Sequence, residues 1–144
     1  MSVNKADRRE SKIEYENNFF KVYKDAIFLA EHSFGASEEV KAKREIFLRT
    51  SGTNVITTAY DIGKQIRLAS SIYPKYISEL EERRKIQEKA IGLCYDLLIK
   101  YQIIMDQLHI PGDKYTRHIK TVINEIRCLE KWKKSDSKKF KYLG

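Results

Sequence analysis

The stretch Ile77–Leu108, ISELEERRKIQEKAIGLCYDLLIKYQIIMDQL, repeats apolar side chains at helical spacing over about nine turns. In its C-terminal two thirds the apolar residues recur at alternating steps of four and three: Ala90, Cys94, Leu97, Tyr101, Ile104 and Leu108. This spacing is typical of the buried seam of a bundle helix. Residues 79–89, in contrast, carry eight charged side chains. The pattern predicts one long helix with a core-forming end and an end that faces water or a polyanion.

Three other segments repeat this periodicity. We predict helices over residues 11–32, from Ser37 to about residue 70, and from Asp113 to about Trp132. The links contain Gly35, Pro74 and Pro111-Gly112, which end helices. Poor helix formers at residues 52–58 either allow close helix approach or break the second helix. Four helices joined by short links predict an all-α, antiparallel up-down-up-down four-helix bundle.

Length and composition support a single domain. A chain of 144 residues is large enough to bury one substantial core. We expect a flexible N-terminal arm over residues 1–10, the bundle over residues 11–134 and a disordered basic tail over residues 135–144. The charged N-terminus does not resemble a secretion signal, and the chain has no apolar run of about 18 residues. These observations predict a cytoplasmic protein that does not enter a membrane.

The formal net charge of +8 is unevenly distributed. Residues 131–144 contain six lysines and one acidic residue, Asp136, with Trp132, Phe140 and Tyr142 interleaved. Single lysines usually form only a solvated face. In a cluster that is almost entirely positive and carries aromatic residues, however, the lysines can bind phosphates and the aromatic rings can stack on unpaired bases. The sequence therefore predicts salt-sensitive RNA or DNA binding with little sequence preference. The candidate nucleic-acid-binding residues are Lys43, Arg44, Arg83, Arg84, Lys85, Lys89, Arg127, Lys131, Lys133, Lys134, Lys138 and Lys139.

No motif in the chain predicts catalysis. The histidines lack the four-residue spacing of a helical zinc pair, and we expect them at helix ends or on a polar face. Asp106 and His109 stand three apart, like half of a di-iron ligand set, but we expect no acidic residue on the seams of the other helices. Cys94 and Cys128 fall on predicted core faces. We expect no catalytic residues, metal, cofactor or disulfide.

Two local strings near the last predicted helix resemble a known family. They are DQLHI at residues 106–110, followed by Tyr115, and RCLEKW at residues 127–132. They are similar to the DLxLI…Y turn and the RxLxxW ending of the four-helix bundle family that joins 23S rRNA intervening-sequence proteins with Avd, the accessory variability protein of diversity-generating retroelements. Asn54-Val55, among small residues, is similar to the SxxNI segment of the intervening-sequence branch. The resemblance spans residues 15–134.

The chain departs from the Avd pattern at two places. Glu130-Lys131 stands where Avd proteins usually have two glycines, and Leu98 and Gln102 stand where they often have arginines. The branch of the family is therefore left open. Membership in the Avd branch would imply a homopentamer with a positive surface that associates with a reverse transcriptase and its template RNA.

Three classes of function follow from these observations. The first is a non-catalytic adaptor that binds RNA, either an Avd-like accessory protein or an intervening-sequence-type bundle. The second is a protein-interaction module whose surface residues Ile72, Tyr73 and Tyr76 bind a helix of another chain. The third is a small bundle enzyme or metal carrier, which the absence of ligand motifs disfavours.

Overall fold

Four α-helices contain almost all of the residues that the structure describes. The computed structural model describes residues 5–32, 52–108 and 113–143. The helices are α1 (Lys5–His32), α2 (Thr53–Ser71), α3 (Ile77–Leu108) and α4 (Asp113–Lys139), and a single 3₁₀ turn follows at Lys141–Leu143. No strand occurs within these ranges.

The helices form a closed ring of antiparallel neighbours. Helix α1 packs against α2 and α4, and α3 packs against the same two helices from the opposite side. This arrangement is the predicted all-α, up-down-up-down four-helix bundle, and the prediction of fold class is confirmed. None of the described helices combines the length and the apolar character that crossing a bilayer requires.

The core lies along the four inward faces. The predicted seam of α3 is confirmed from Ala90 to Ile104, and α4 buries apolar residues at the same helical spacing, among them Tyr115, Val122, Ile126 and Leu129. On α1, in contrast, the buried face contains Val22, Ala26 and Leu29, whereas Phe20 is 56% exposed. Tyr15 is also buried, so it is Phe19, Phe20 and Tyr23 that flank the core instead of filling it. Burying one such aliphatic side chain contributes about 1.5–3 kcal/mol.

The described helix ends differ from the predictions at the start of α1 and at the end of α4. Helix α1 begins at Lys5, so part of the predicted flexible arm is helical. The predicted start of the second helix at Ser37 lies outside the described residues. Ile72 adopts an extended conformation at the end of α2, two residues before Pro74. The backbone N–H groups of Lys75 and Tyr76 donate to Oε1 of Glu79, which caps the start of α3.

Helix α4 is longer than predicted. It continues past Trp132 to Lys139, and both Asp136 and Phe140 are buried. The prediction of a disordered tail from residue 135 is therefore wrong for the part of the tail that the structure describes. Trp132, Asp136 and Phe140 extend the buried seam at helical spacing, but an aspartate in the middle conceals the apolar period. The lengths of the predicted helices would leave the charged end of α3 uncovered by the first and last helices. That prediction is wrong, because α4 covers the inner side of this end, where Arg83 and Gln87 contact Asp136.

Both cysteines are free and buried. Burial and the nearby Glu125 carboxyl raise the pKa of the Cys94 thiol well above its ordinary value. Burial, with smaller contributions from Glu125 and Glu14, raises the pKa of Cys128 to about 11. The prediction that the two cysteines act as small core residues is confirmed.

Candidate nucleic-acid interface

The outward face of α4 carries a continuous row of long polar side chains, which we call the basic stripe. Its residues alternate at steps of three and four and are all exposed: Arg117, Lys120, Asn124, Arg127, Lys131, Lys134 and Lys138. From the first to the last residue the stripe extends about 32 Å at 1.5 Å per residue. Because the opposite face of α4 is fixed in the core, the stripe faces away from the bundle.

Few carboxylates neutralise the basic stripe. Lys131 Nζ lies 3.5 Å from Oε1 of Glu14, and both side chains are at least half exposed, so this ion pair contributes little to stability. None of the other five cations has a carboxylate within 4 Å among the described residues. The stripe therefore presents six positive charges, of which five have no described counter-ion.

Lys133 and Lys139 lie beside the stripe and contact the protein itself. Lys133 Nζ lies 3.4 Å from Oε1 of Glu88 and 4.0 Å from Oε2 of Glu130, so it links α4 to α3. The Lys139 ammonium lies 5.5 Å from the ring centroid of Tyr73 and 5.4 Å from that of Phe140. Both lysines were predicted to contact nucleic acid, and the structure places them at the edge of the stripe.

Arg83 is buried and is held inside the protein. Its Nε and Nη2 donate to the two carboxylate oxygens of Asp136, at 2.8 and 2.9 Å, and its Nη1 donates to the carbonyl of Ile72 at 2.9 Å. Gln87 Nε2 also donates to Asp136 Oδ2, at 2.8 Å. The guanidinium lies 5.0 Å from the ring centroid of Trp132. Arg83 was predicted to bind nucleic acid, but all three of its guanidinium nitrogens donate to partners within the chain and the side chain is buried.

The other predicted basic residues of α3 lie in a region of mixed charge. Arg84 is half-buried and donates from Nη2 to Ser137 Oγ at 2.9 Å. Lys85 and Lys89 are exposed, but three exposed glutamates lie on the same part of the helix: Glu81, Glu82 and Glu88. This end of α3 therefore has no excess of positive charge. The predicted residues Lys43 and Arg44 lie outside the described residues.

The aromatic residues near the C-terminus stabilise the fold. The ring of Trp132 stacks on that of Tyr15 with centroids 4.3 Å apart, and Phe140 packs edge-on against Tyr73 at 5.5 Å. Both Trp132 and Phe140 are buried, so the prediction that they stack on bases is wrong. Tyr142, at 74% exposed, is the one member of the predicted aromatic set that faces solvent.

Glu125 is a buried acidic residue that the sequence analysis missed. It is fully buried, and neither carboxylate oxygen has a hydrogen-bond partner among the residues that the structure describes. Burial raises the pKa of Glu125 to about 8, and the Asn18 side chain offsets this increase only in part. The Asn18 amide also donates a hydrogen bond to Thr121 O. The prediction that no acidic residue sits on the α4 seam is therefore wrong. Glu125 lies three residues after Val122 and next to Ile126, so it shares the seam spacing.

His118 also lies at a position that the sequence analysis did not predict. It is buried, and its Nδ1 lies 3.0 Å from Asp25 Oδ2, which joins α4 to α1. The prediction of a polar face for this histidine is wrong. Within the described ranges, no three His, Cys, Asp or Glu side chains lie close enough together to hold a metal ion.

Comparison with known proteins adds no relative. The chain matches no protein-family model, no curated protein and no solved structure. The resemblance to the family of Avd and intervening-sequence proteins therefore depends on the sequence motifs given above.

Proposed function

We propose that the chain is a non-catalytic adaptor that binds RNA through the basic stripe of α4. The observation that carries this proposal is the row of six exposed cations, five of them without a described carboxylate partner. When such a row of cations binds phosphates, it displaces the counter-ions that are condensed on the nucleic acid. Their release supplies binding free energy without base recognition.

The surroundings of the stripe favour contact with the phosphate backbone over stacking on bases. Trp132 and Phe140 are buried, so the stripe itself has no exposed aromatic ring on which an unpaired base could stack. Contacts of lysine and arginine with phosphates position the nucleic-acid backbone and do not distinguish base sequences. We therefore expect the partner to be folded or double-stranded RNA, recognised by the arrangement of its phosphates.

The family resemblance extends this proposal to a biological setting. It implies an Avd-like accessory protein of a diversity-generating retroelement, a homopentamer that binds a reverse transcriptase in the cytoplasm. The alternative within the same family is a 23S rRNA intervening-sequence-type protein. In both cases the bundle acts as a scaffold, and the stripe of α4 supplies the charge.

Binding to an RNA duplex of fixed length, measured by fluorescence anisotropy at several salt concentrations, tests the proposal. If all six stripe cations contact phosphates, the logarithm of the binding constant falls with the logarithm of salt with a slope near −5, from about 0.9 per contact for a B-form DNA duplex. Tight binding that does not change with salt, or no binding at low salt, would exclude the proposal.

A second candidate function is a protein-interaction module without nucleic-acid binding. It is favoured by exposed apolar side chains on the outward face of α3, where Tyr95, Ile99 and Ile103 stand four residues apart. Of the residues predicted for this role, Tyr73 and Tyr76 are exposed and Ile72 is half-buried. Light scattering together with the RNA titration separates the two functions, because a monomer without RNA affinity favours the interaction module.

A further inference from the structure

A groove lies between α1 and α2, on helices that do not carry the basic stripe. It encloses about 430 Å³ and is lined mainly by apolar side chains: Phe19, Phe20, Tyr23, Tyr60 and Leu68. Phe20 and Tyr60 are 56% and 58% exposed, although both are large enough to be core residues. We call this surface the aromatic groove.

Gly63 shapes the floor of the aromatic groove. It is buried, and a Cβ atom at this position would overlap the ring of Phe19. The absence of a side chain therefore allows the Phe19 ring to lie directly against the backbone of α2. Phe19 in turn contacts the rings of Phe20 and Tyr23, with centroids 5.7 and 6.0 Å away, so the floor is a continuous aromatic surface.

The edge of the groove is positively charged. Lys64 and Arg67 line it from α2, and both are exposed. Neither has a carboxylate partner within 4 Å among the described residues, and no acidic residue lines the groove. An apolar occupant with negative charge at its edge would complement both features.

We propose that the aromatic groove binds an amphipathic helix of another protein, with an acidic polar face. Along α2 the groove runs from Tyr60 to Ser71, which is three turns or about 16 Å. A surface of this length between two helices accommodates apolar anchors at positions i, i+4 and i+7 of a third helix. The anchors contact Phe20, Tyr60 and Leu68, and carboxylates beside them pair with Lys64 and Arg67. The groove shares no residue with the basic stripe, so this inference does not depend on RNA binding.

Two labelled helical peptides of about 16 residues test the proposal. Both carry leucine at every third or fourth position, and their polar positions are glutamate in one and lysine in the other. Fluorescence anisotropy with the full chain should show that the glutamate peptide binds about tenfold more tightly or better. Equal affinities for the two peptides, or tighter binding of the lysine peptide, would overturn the proposal.

A charge reversal makes the test specific to the groove. The variant Lys64→Glu/Arg67→Glu should bind the lysine peptide more tightly than the glutamate peptide, and this gain of binding cannot result from misfolding. The matched variant Lys85→Glu/Lys89→Glu should keep the original preference. If the groove variant keeps the preference for the glutamate peptide, the peptide binds elsewhere and the proposal is wrong. Loss of peptide binding in the stripe variant Arg127→Gln/Lys134→Gln/Lys138→Gln would also contradict the proposal.

The apolar contribution has its own matched pair of variants. Tyr60→Ala should weaken binding of the glutamate peptide by about tenfold, whereas Tyr95→Ala removes a similarly exposed tyrosine from α3 and should have no effect. Equal effects of the two substitutions would contradict the proposal. A concentration-dependent doubling of mass that Tyr60→Ala abolishes would assign the groove to a second copy of the chain and would likewise overturn it.

Discussion

The outward faces of α3 and α4 show how two neighbouring helices of similar length can present opposite surfaces. On α3, lysines alternate with glutamates near the N-terminus, and apolar side chains such as Tyr95 and Ile99 are exposed further along. On α4, one cation follows another with few carboxylates between them. The comparison shows that the number of basic residues in a segment matters less than the charge that remains after its neighbours are counted.

The junction of the two helices is the most sensitive point of this comparison. Replacing Asp136 with alanine leaves the buried Arg83 guanidinium without its carboxylate, and we expect the free energy of unfolding to fall by about 3–5 kcal/mol. Urea denaturation measures the loss. The exposed Glu130→Ala provides the control and should cost less than about 0.5 kcal/mol. A similar small loss for both variants would show that the pair is not buried in solution.

The inner face of α4 also contains Glu125, a buried carboxyl that lacks the kind of partner that Asp136 has among the described residues. The pKa of Glu125 is raised from 4.5 to about 8 in the folded chain, so the folded state binds more protons than the unfolded state. The contribution of Glu125 to the free energy of unfolding is therefore greatest below pH 4.5. It falls as the pH rises and levels off above about pH 8. Between pH 4.5 and 7, wild type should lose on the order of 3 kcal/mol relative to Glu125→Gln.

Urea denaturation of both proteins across this pH range measures the difference. Glu88→Gln, which changes an exposed glutamate of α3, should follow the wild-type profile. Parallel profiles for wild type and Glu125→Gln would mean that the Glu125 carboxyl is solvated or has a counter-ion.

The outer faces can be compared directly through RNA affinity. The variant Arg127→Gln/Lys134→Gln/Lys138→Gln removes three stripe cations, and we expect an affinity loss of about tenfold or more with a salt slope reduced by about three. The control Lys21→Gln/Lys24→Gln/Lys85→Gln removes the same charge from α1 and α3. Anisotropy titrations measure both variants. Equal losses of affinity would show that RNA binding depends on the net charge of the chain and not on the position of the stripe.

The smallest effect is expected on the outer face of α3. Ile99→Glu places a charge where the side chain is exposed in the described structure, so the free energy of unfolding of an isolated bundle should change by less than about 0.5 kcal/mol. Thermal unfolding and light scattering measure stability and mass together. A large loss of stability accompanied by a decrease in mass would show that this face is covered by another chain.

The core was largely predictable, because a buried seam is an apolar repeat within one helix. The spacing of Cys94, Leu97 and Tyr101 predicts the seam of α3, and the structure buries all three. The end of α4 was not predictable in this way. Asp136 interrupts the apolar repeat, and its burial depends on Arg83, which is 53 residues away in the chain.

The candidate site was only partly predictable for the same reason. Lys134 and Arg83 are both basic residues at helical positions, and only the packed structure shows that one faces solvent and the other contacts Asp136. The helical spacing of Arg117, Lys120 and Arg127 was present in the sequence. It could have predicted the full stripe, but the dense lysines after Trp132 suggested a tail instead.

The burial of both cysteines has a practical consequence for labelling chemistry. The chain contains two thiols, and both are shielded and protonated at neutral pH, so maleimide reagents should react slowly with the native protein. A single cysteine introduced at an exposed position would then be the preferred attachment point for a fluorophore or a crosslinker. Distances from α4 to a bound partner could be measured in this way without replacing either native cysteine.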